Sequence, residues 1–151
     1  MKKTFSCSLA TLGVVGRFYG SGTLATALTL PLVYGLSFLP EIGYWVVIII
    51  VSGIALNVSE KAVHYYQKQD PPEVVIDEVL GCLITFVGIP LSWPSFILGF
   101  VLFRFLDISK WFGIRKLGNV RGAWGILLDD VAAGVLSNLV LRLIFVWSDL
   151  L

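Results

Sequence analysis

Charge is what this sequence has least of. Asp, Glu, Lys and Arg make up 14% of its 151 residues, against about a quarter in an ordinary soluble domain. The deficit is concentrated: no charged residue occurs between Arg17 and Glu41, between Glu41 and Glu60, or between Glu78 and Arg104. Histidine is represented by His64 alone, and the two cysteines, Cys7 and Cys82, lie far apart with no Cys-x-x-Cys pair. These shortages argue against a zinc site and a disulfide framework, and both cysteines read as small apolar residues. His64, in KAVHYYQK, reads as a solvated helix residue. A net charge of +1 gives no sign of a nucleic-acid or acidic partner.

Long apolar runs take the place of charge. The chain is 57% hydrophobic, with a mean hydropathy of +0.88. A spanning helix needs about 20 mostly apolar residues, and each uncharged gap is about that long or longer. The sequence therefore predicts one all-α domain over residues 1–151, a multi-pass helical membrane protein with four to five transmembrane or membrane-embedded helices. The basic start, MKKTFSCSLATLGVVG, resembles a signal peptide, but its middle is diluted by polar and small residues, so it is read as retained.

The expected spans are Leu24–Leu39, with Pro31 inside it, and Ile42–Leu56, separated by a tight turn at Pro40-Glu41. The polar stretch NVSEKAVHYYQKQDPPEVVIDEV follows, where Pro71-Pro72 breaks any preceding helix. Beyond it come two short helices, VVIDEVLGCLITFVGI and LSWPSFILGFVLFRFLDISKW, turning at Pro90 to Pro94, and a last span, Ile126–Trp147. Basic residues help to choose the topology. Lys2, Lys3 and Arg17 precede the first span, Lys61 and Lys68 follow the second, and Arg104, Lys110, Arg115, Lys116 and Arg121 precede the last. With a hairpin at Pro90–Pro94 all three groups fall on one side, as the positive-inside rule prefers for the cytoplasm. A single bent span would send the most basic segment outside.

That topology gathers half of the acids. Asp77 and Glu78 open the third helix, Asp107 closes the fourth, and Asp129 and Asp130 lie inside the apolar run ILLDDVAAGVL near the start of the fifth. Each has a bland reading: Asp77 as a helix N-terminal charge, Arg104 and Asp107 as a local ion pair, Arg115 and Lys116 as topology signals or lipid-surface contacts. Asp129-Asp130 resists one, because adjacent carboxylates in an apolar run are expensive without a partner or a purpose. Carboxylates brought together repel unless a cation joins them, and Mg²⁺ takes such oxygen ligands together with phosphate oxygens. Arg104 and Lys110 each lie three residues from Asp107 on a helical face, and Arg121 leads into the last helix through RGAWG. Gly20-Ser21-Gly22-Thr23 is only loosely like a phosphate-cradling loop.

In Asp77-Glu78-Val79-Leu80-Gly81, Phe103-Arg104-Phe105-Leu106-Asp107-Ile108-Ser109-Lys110 and Gly125-Ile126-Leu127-Leu128-Asp129-Asp130-Val131-Ala132-Ala133-Gly134, taken in this order and spacing, the sequence resembles the phosphatidylglycerophosphatase A family. The resemblance runs from about Gly16 to Leu143. It departs from the family's pattern after Lys110, where Trp111-Phe112-Gly113-Ile114 replaces a proline-rich segment, and in the loop before Leu24, where only Gly22-Thr23 is clearly kept.

The resemblance implies a Mg²⁺-dependent phosphatase in phospholipid biosynthesis. It would convert phosphatidylglycerophosphate to phosphatidylglycerol in the bacterial inner membrane, with its site facing the cytoplasm. Asp77, Glu78, Asp107, Asp129 and Asp130 would be the catalytic acids, and Asp77, Glu78, Asp129 and Asp130 among them the metal ligands. Arg104, Lys110 and Arg121 would bind the phosphate. The rival is a small cation or proton transporter, for which intramembrane carboxylates also serve, although that reading expects acids spread through the membrane's depth.

Overall fold

The computed structural model describes residues 5–149 apart from 112 and 119, with side chains of the last helix described as far as residue 145. Lys2 and Lys3 of the basic head lie outside the described residues. Every regular element among those residues is helical: α1 Phe5–Ala10, a 3-10 turn at Val15–Arg17, α2 Ser21–Leu36, α3 Glu41–Tyr66, α4 Ile76–Thr85, α5 Trp93–Ser109, α6 Ile114–Leu117 and α7 Ala123–Asp149. The short α4 is the axis of the bundle. It packs against α2, α3, α5 and α7, and eight of its ten residues are buried, including Leu80, Cys82 and Leu83.

Helix boundaries depart from the sequence reading where buried small residues carry the pattern. The second apolar stretch does not stop at Leu56, because α3 runs on through the polar NVSEKAVHYY to Tyr66. Ala55, Val58, Ser59 and Ala62 keep one buried stripe along that extension, at the spacing that aligns positions on one helical face. Gln67 ends it in a left-handed conformation, its side-chain amide donating to the His64 carbonyl at 2.6 Å. His64 itself is solvated, 3.5 Å from Glu60 with its side chain 76% exposed. The helix α2 starts three residues earlier than Leu24, after Gly20 at φ 74°, and carries Pro31 within it. At the start of α5, Ser92 and Ser95 form a reciprocal cap and Pro94 sits in the first turn, where a proline's missing donor is harmless. Cys7 and Cys82 are both buried, Cys7 in α1, which packs on α3.

Of the described helices, α3 is the one long and apolar enough to cross a bilayer; α2 is apolar but has only 16 residues. A helix leaves its last carbonyls without intrahelical donors, and at the end of α4 three side chains of other helices meet them. The Tyr44 hydroxyl donates to Leu83 O at 3.0 Å. The Asn138 amide donates to both Thr85 O and Val87 O at 2.9 Å. The Arg142 guanidinium donates to Val87 O, and to Asn138 Oδ1, at 2.8 Å. These contacts let the chain leave α4 and turn into α5 while keeping its backbone satisfied.

Candidate metal and phosphate site

Because α5 returns antiparallel to α4, its last turn meets the first turn of α4, and both face the first part of α7. A cavity of about 220 Å³ at this junction is lined by Asp77 and Glu78 of α4, Asp107 of α5, Lys110 just after it, and Asp129 and Asp130 of α7. Two glycines bring the helices this close. Gly81 lies four residues after Asp77 and Gly134 four after Asp130, so on each helix acid and glycine share a face. A Cβ on Gly81 would stand 2.7 Å from Asp130 O and 2.6 Å from the Phe103 ring, and one on Gly134 would collide with Gly81 O. Without side chains at those positions the two backbones touch, and the acids one turn away face each other.

A third glycine admits α2. A Cβ on Gly22 would collide with the Glu78 carboxylate and stand 3.1 Å from Arg104 Nη2. The start of α2 therefore lies directly over the Glu78–Arg104 pair, and the Ser21 hydroxyl, donating to Pro72 O at 3.3 Å, ties it to the loop before α4. The proline pair thus does more than stop a helix.

The acids divide into two sets. Asp77, Glu78 and Asp130 each offer a carboxylate oxygen, and these oxygens all lie within 4.8 Å of one another. Asp77 Oδ1, Glu78 Oε2 and Asp130 Oδ2 are buried without a hydrogen-bond partner. In a closed site that leaves charge uncompensated, which is severe unless a cation takes up the oxygens. Asp107 and Asp129 are instead already partnered. Arg104 Nη1 donates to Asp107 Oδ2 at 2.6 Å with both side chains only 13% exposed. Lys110 Nζ contacts Asp129 Oδ2 directly. Partial burial of Lys110 pulls its pKa down, but the hydrogen bond to Asp129 and the charges of Asp129, Asp130 and Asp107 more than offset this, so the ammonium is held. Arg104 Nε is buried and without a partner. Orphaned acceptors and an orphaned guanidinium donor thus face the same region, an arrangement that suits a hard cation together with an oxyanion.

The expected residues do not all meet here. Asp77, Glu78, Asp107, Asp129, Asp130 and Lys110 line the cavity, and Arg104 borders it through Glu78 and Asp107. Asp129 belongs with Lys110 rather than with the three-oxygen group. Arg121 is elsewhere, on a separate groove with Asn57, Glu60 and Lys61. Asp70 also lines the acid cavity, and sequence reasoning passed over it as part of a polar loop. The glycine roles had a readable signal, since Asp-x-x-x-Gly occurs at both Asp77 and Asp130.

Comparison with known proteins identifies the chain's family. The family model for phosphatidylglycerophosphatase A matches residues 8–145. The chain belongs to the phosphatidylglycerophosphatase A family. It is 34% identical over 118 residues to phosphatidylglycerophosphatase A of Escherichia coli K12, covering 77% of this chain and 69% of that protein. It is 39% identical over 80 residues to the phosphatidylglycerophosphatase A of Haemophilus influenzae Rd, covering 52% of this chain and 49% of the relative. A Bacteroides thetaiotaomicron protein, named as a candidate phosphatidylinositol-3-phosphatase, is 42% identical over 72 residues, covering 46% of this chain and 45% of its own length. The chain thus matches about half the length of the latter two relatives. No solved structure matches. The family is one of phosphatases, so the chain is a hydrolase.

Proposed function

We propose that this phosphatidylglycerophosphatase A family member is a multi-pass membrane enzyme that removes the terminal phosphate of phosphatidylglycerophosphate, using Mg²⁺, at the cytoplasmic face. The observation that carries the reading is the trio of carboxylate oxygens on Asp77, Glu78 and Asp130, within 4.8 Å of one another, beside Arg104 and Lys110. Asp77, Glu78 and Asp130 would hold the ion, since their orphaned oxygens fit a hard divalent cation. Mg²⁺ bound there supplies positive charge for the phosphate oxygens and the attacking water.

The chain's own groups do the rest. Arg104 and Lys110 bind the phosphate oxygens and offset the charge that grows on them as the ester bond breaks. Asp107 fixes the Arg104 guanidinium and Asp129 the Lys110 ammonium. A carboxylate of the cluster takes a proton from water as its oxygen bonds to phosphorus, and the glycerol oxygen leaves with the electrons of the broken bond and takes up that proton from the carboxyl group. Leu28, Leu32, Ile49, Ile50, Ile97, Val101 and Leu139 expose a large apolar surface over α2, α3, α5 and α7, as a multi-pass arrangement requires. Lys61, Lys68, Arg115, Lys116 and Arg121 would then lie at the cytoplasmic end with the acids.

Clustering of the acids at one end beside two cations favours the enzyme over the ion-transporter reading. The Bacteroides relative's name supports a second substrate of the same chemistry, a phosphomonoester on an inositol head group. The test measures phosphate release from phosphatidylglycerophosphate and from phosphatidylinositol 3-phosphate, by wild type and by Asp130→Asn, with and without Mg²⁺. Release from the first lipid, dependent on both Mg²⁺ and Asp130, is expected. Ion flux without hydrolysis would reverse the assignment.

A further inference from the structure

Away from the acid cavity, a groove of about 750 Å³ runs between α3 and the start of α7. None of its lining residues lines the acid site. Along α3 the groove changes character: Gly53 and Leu56 give it an apolar end, with open space over Gly53, and Asn57 and Lys61 give it a polar end. Arg121 and Trp124, the latter 58% exposed, line the groove from the α7 side. The eight steps from Gly53 to Lys61 rise about 12 Å, so one molecule would meet both ends.

The acid in this groove is already used. Glu60 Oε2 accepts from the Ala123 amide at 3.0 Å, capping the start of α7, and Glu60 Oε1 lies 3.5 Å from His64. Among the described residues neither Lys61 nor Arg121 has an ion-pair partner. Two cations from different helices therefore share a groove whose other end is apolar and whose rim carries a tryptophan, the residue type enriched at the membrane–water boundary.

We infer that this groove is a second lipid site, holding an anionic phospholipid with its phosphate at Lys61 and Arg121 and its glycerol and upper acyl chains against Leu56 and Gly53. The inference rests on the membrane placement proposed above, and it is independent of the catalytic assignment. Charge complementarity selects the occupant: two unpaired cations favour an anionic head group over a zwitterionic one. This also accounts for Arg121, which the sequence reading expects near the acids and the fold places in this groove.

The test uses the full chain in detergent micelles with phosphatidylglycerol, phosphatidylcholine or free glycerol 3-phosphate added, and reads the molecules retained by native mass spectrometry. Wild type should retain phosphatidylglycerol about tenfold better than phosphatidylcholine, and Lys61→Gln with Arg121→Gln should lose that preference. An unchanged thermal midpoint shows that the double variant folds. If it loses its fold, each single variant is read instead, and each should lose part of the preference. Equal retention of both lipids by wild type, undiminished retention by the folded variants, or equal competition from glycerol 3-phosphate would each overturn the site. So would loss of phosphate release by Arg121→Gln with lipid retention intact, because Arg121 would then serve the acid cavity. A wild-type chain that retains the lipid but releases no phosphate would instead sink the enzymatic reading and leave the groove standing.

Discussion

The C-terminal end of α4 buries carbonyl oxygens, and its N-terminal end buries carboxylates. At the first end Tyr44, Asn138 and Arg142 supply donors to Leu83 O, Thr85 O and Val87 O. At the other, Asp77 Oδ1, Glu78 Oε2 and Asp130 Oδ2 have no partner at all. One helix, packed along α7 at both ends, treats similar burdens in opposite ways. Buried polar groups are ordinarily satisfied, so the protein's ability to satisfy them a few turns away makes the bare oxygens informative. The capped end is complete within the chain, whereas the acid end leaves three carboxylate oxygens bare.

The sharpest way to break this contrast is to neutralise the bare end. Asp130→Asn removes a charge and keeps the shape. Phosphate release should fall by at least about 100-fold, the scale seen when one preorganised electrostatic group is lost. Without Mg²⁺ the same variant should be at least as stable as wild type, since it relieves like-charge repulsion. Saturating Mg²⁺ should raise the thermal midpoint of wild type, by about 2.7 kcal/mol of stability at a hundredfold excess over Kd, and leave the variant unmoved. A variant destabilised without the ion would mean that Asp130 is held by protein partners and the site is structural.

Next in size is the helix contact itself. Gly81→Ala puts a methyl 2.7 Å from Asp130 O and 2.6 Å from Phe103, and overpacking of this kind destabilises by about 1–3 kcal/mol. Its effect on Mg²⁺ binding should exceed its effect on stability, because separating α4 from α7 widens the oxygen trio directly. Calorimetric titration with Mg²⁺ alongside thermal unfolding separates the two. Parallel losses would show that the glycine serves packing alone.

At the capped end the expectation inverts. Asn138→Ala strips the donor from Thr85 O, leaves Val87 O to Arg142 alone and removes the acceptor for Arg142 Nε. Stranded buried acceptors cost about 1–3 kcal/mol, so the thermal midpoint should fall. Turnover at a temperature where the variant is folded should stay within a few-fold of wild type, with Mg²⁺ affinity unchanged. A large drop in turnover would mean that the two ends of α4 are coupled.

These contrasts also explain what could be read from the sequence. The acids were legible because charge inside an apolar run is conspicuous, and topology placed Asp77, Asp107 and Asp129 at one end before any coordinates. The division of labour among them was not legible, since adjacent Asp129 and Asp130 differ only in the direction each faces: one meets Lys110, the other Asp77 and Glu78. Arg121 was misplaced for the same reason, because a short glycine-containing turn decides which groove it enters. The last ten residues of α3 were hidden by their polar face, the buried stripe there being small residues that a hydropathy reading undervalues. Asn138 gave no signal, as its partners are backbone oxygens more than 50 residues away.

Tyr44→Phe should have the smallest effect, and it sharpens the distinction between a cap and a ligand seat. The hydroxyl donates to Leu83 O at 3.0 Å, but that carbonyl also accepts from the Phe86 amide at 3.3 Å. Removing the hydroxyl therefore leaves the oxygen with a partner, and the aromatic ring still fills its place against α4. About 1 kcal/mol should be lost, visible as a shift of the thermal midpoint smaller than that of Asn138→Ala. The ordering matters more than either value: redundancy at Leu83 O predicts a small loss, sole provision at Thr85 O a larger one. If Tyr44→Phe proves the more damaging of the two, the carbonyl accounting at the end of α4 is wrong, and with it the argument that bare oxygens at the other end await an ion.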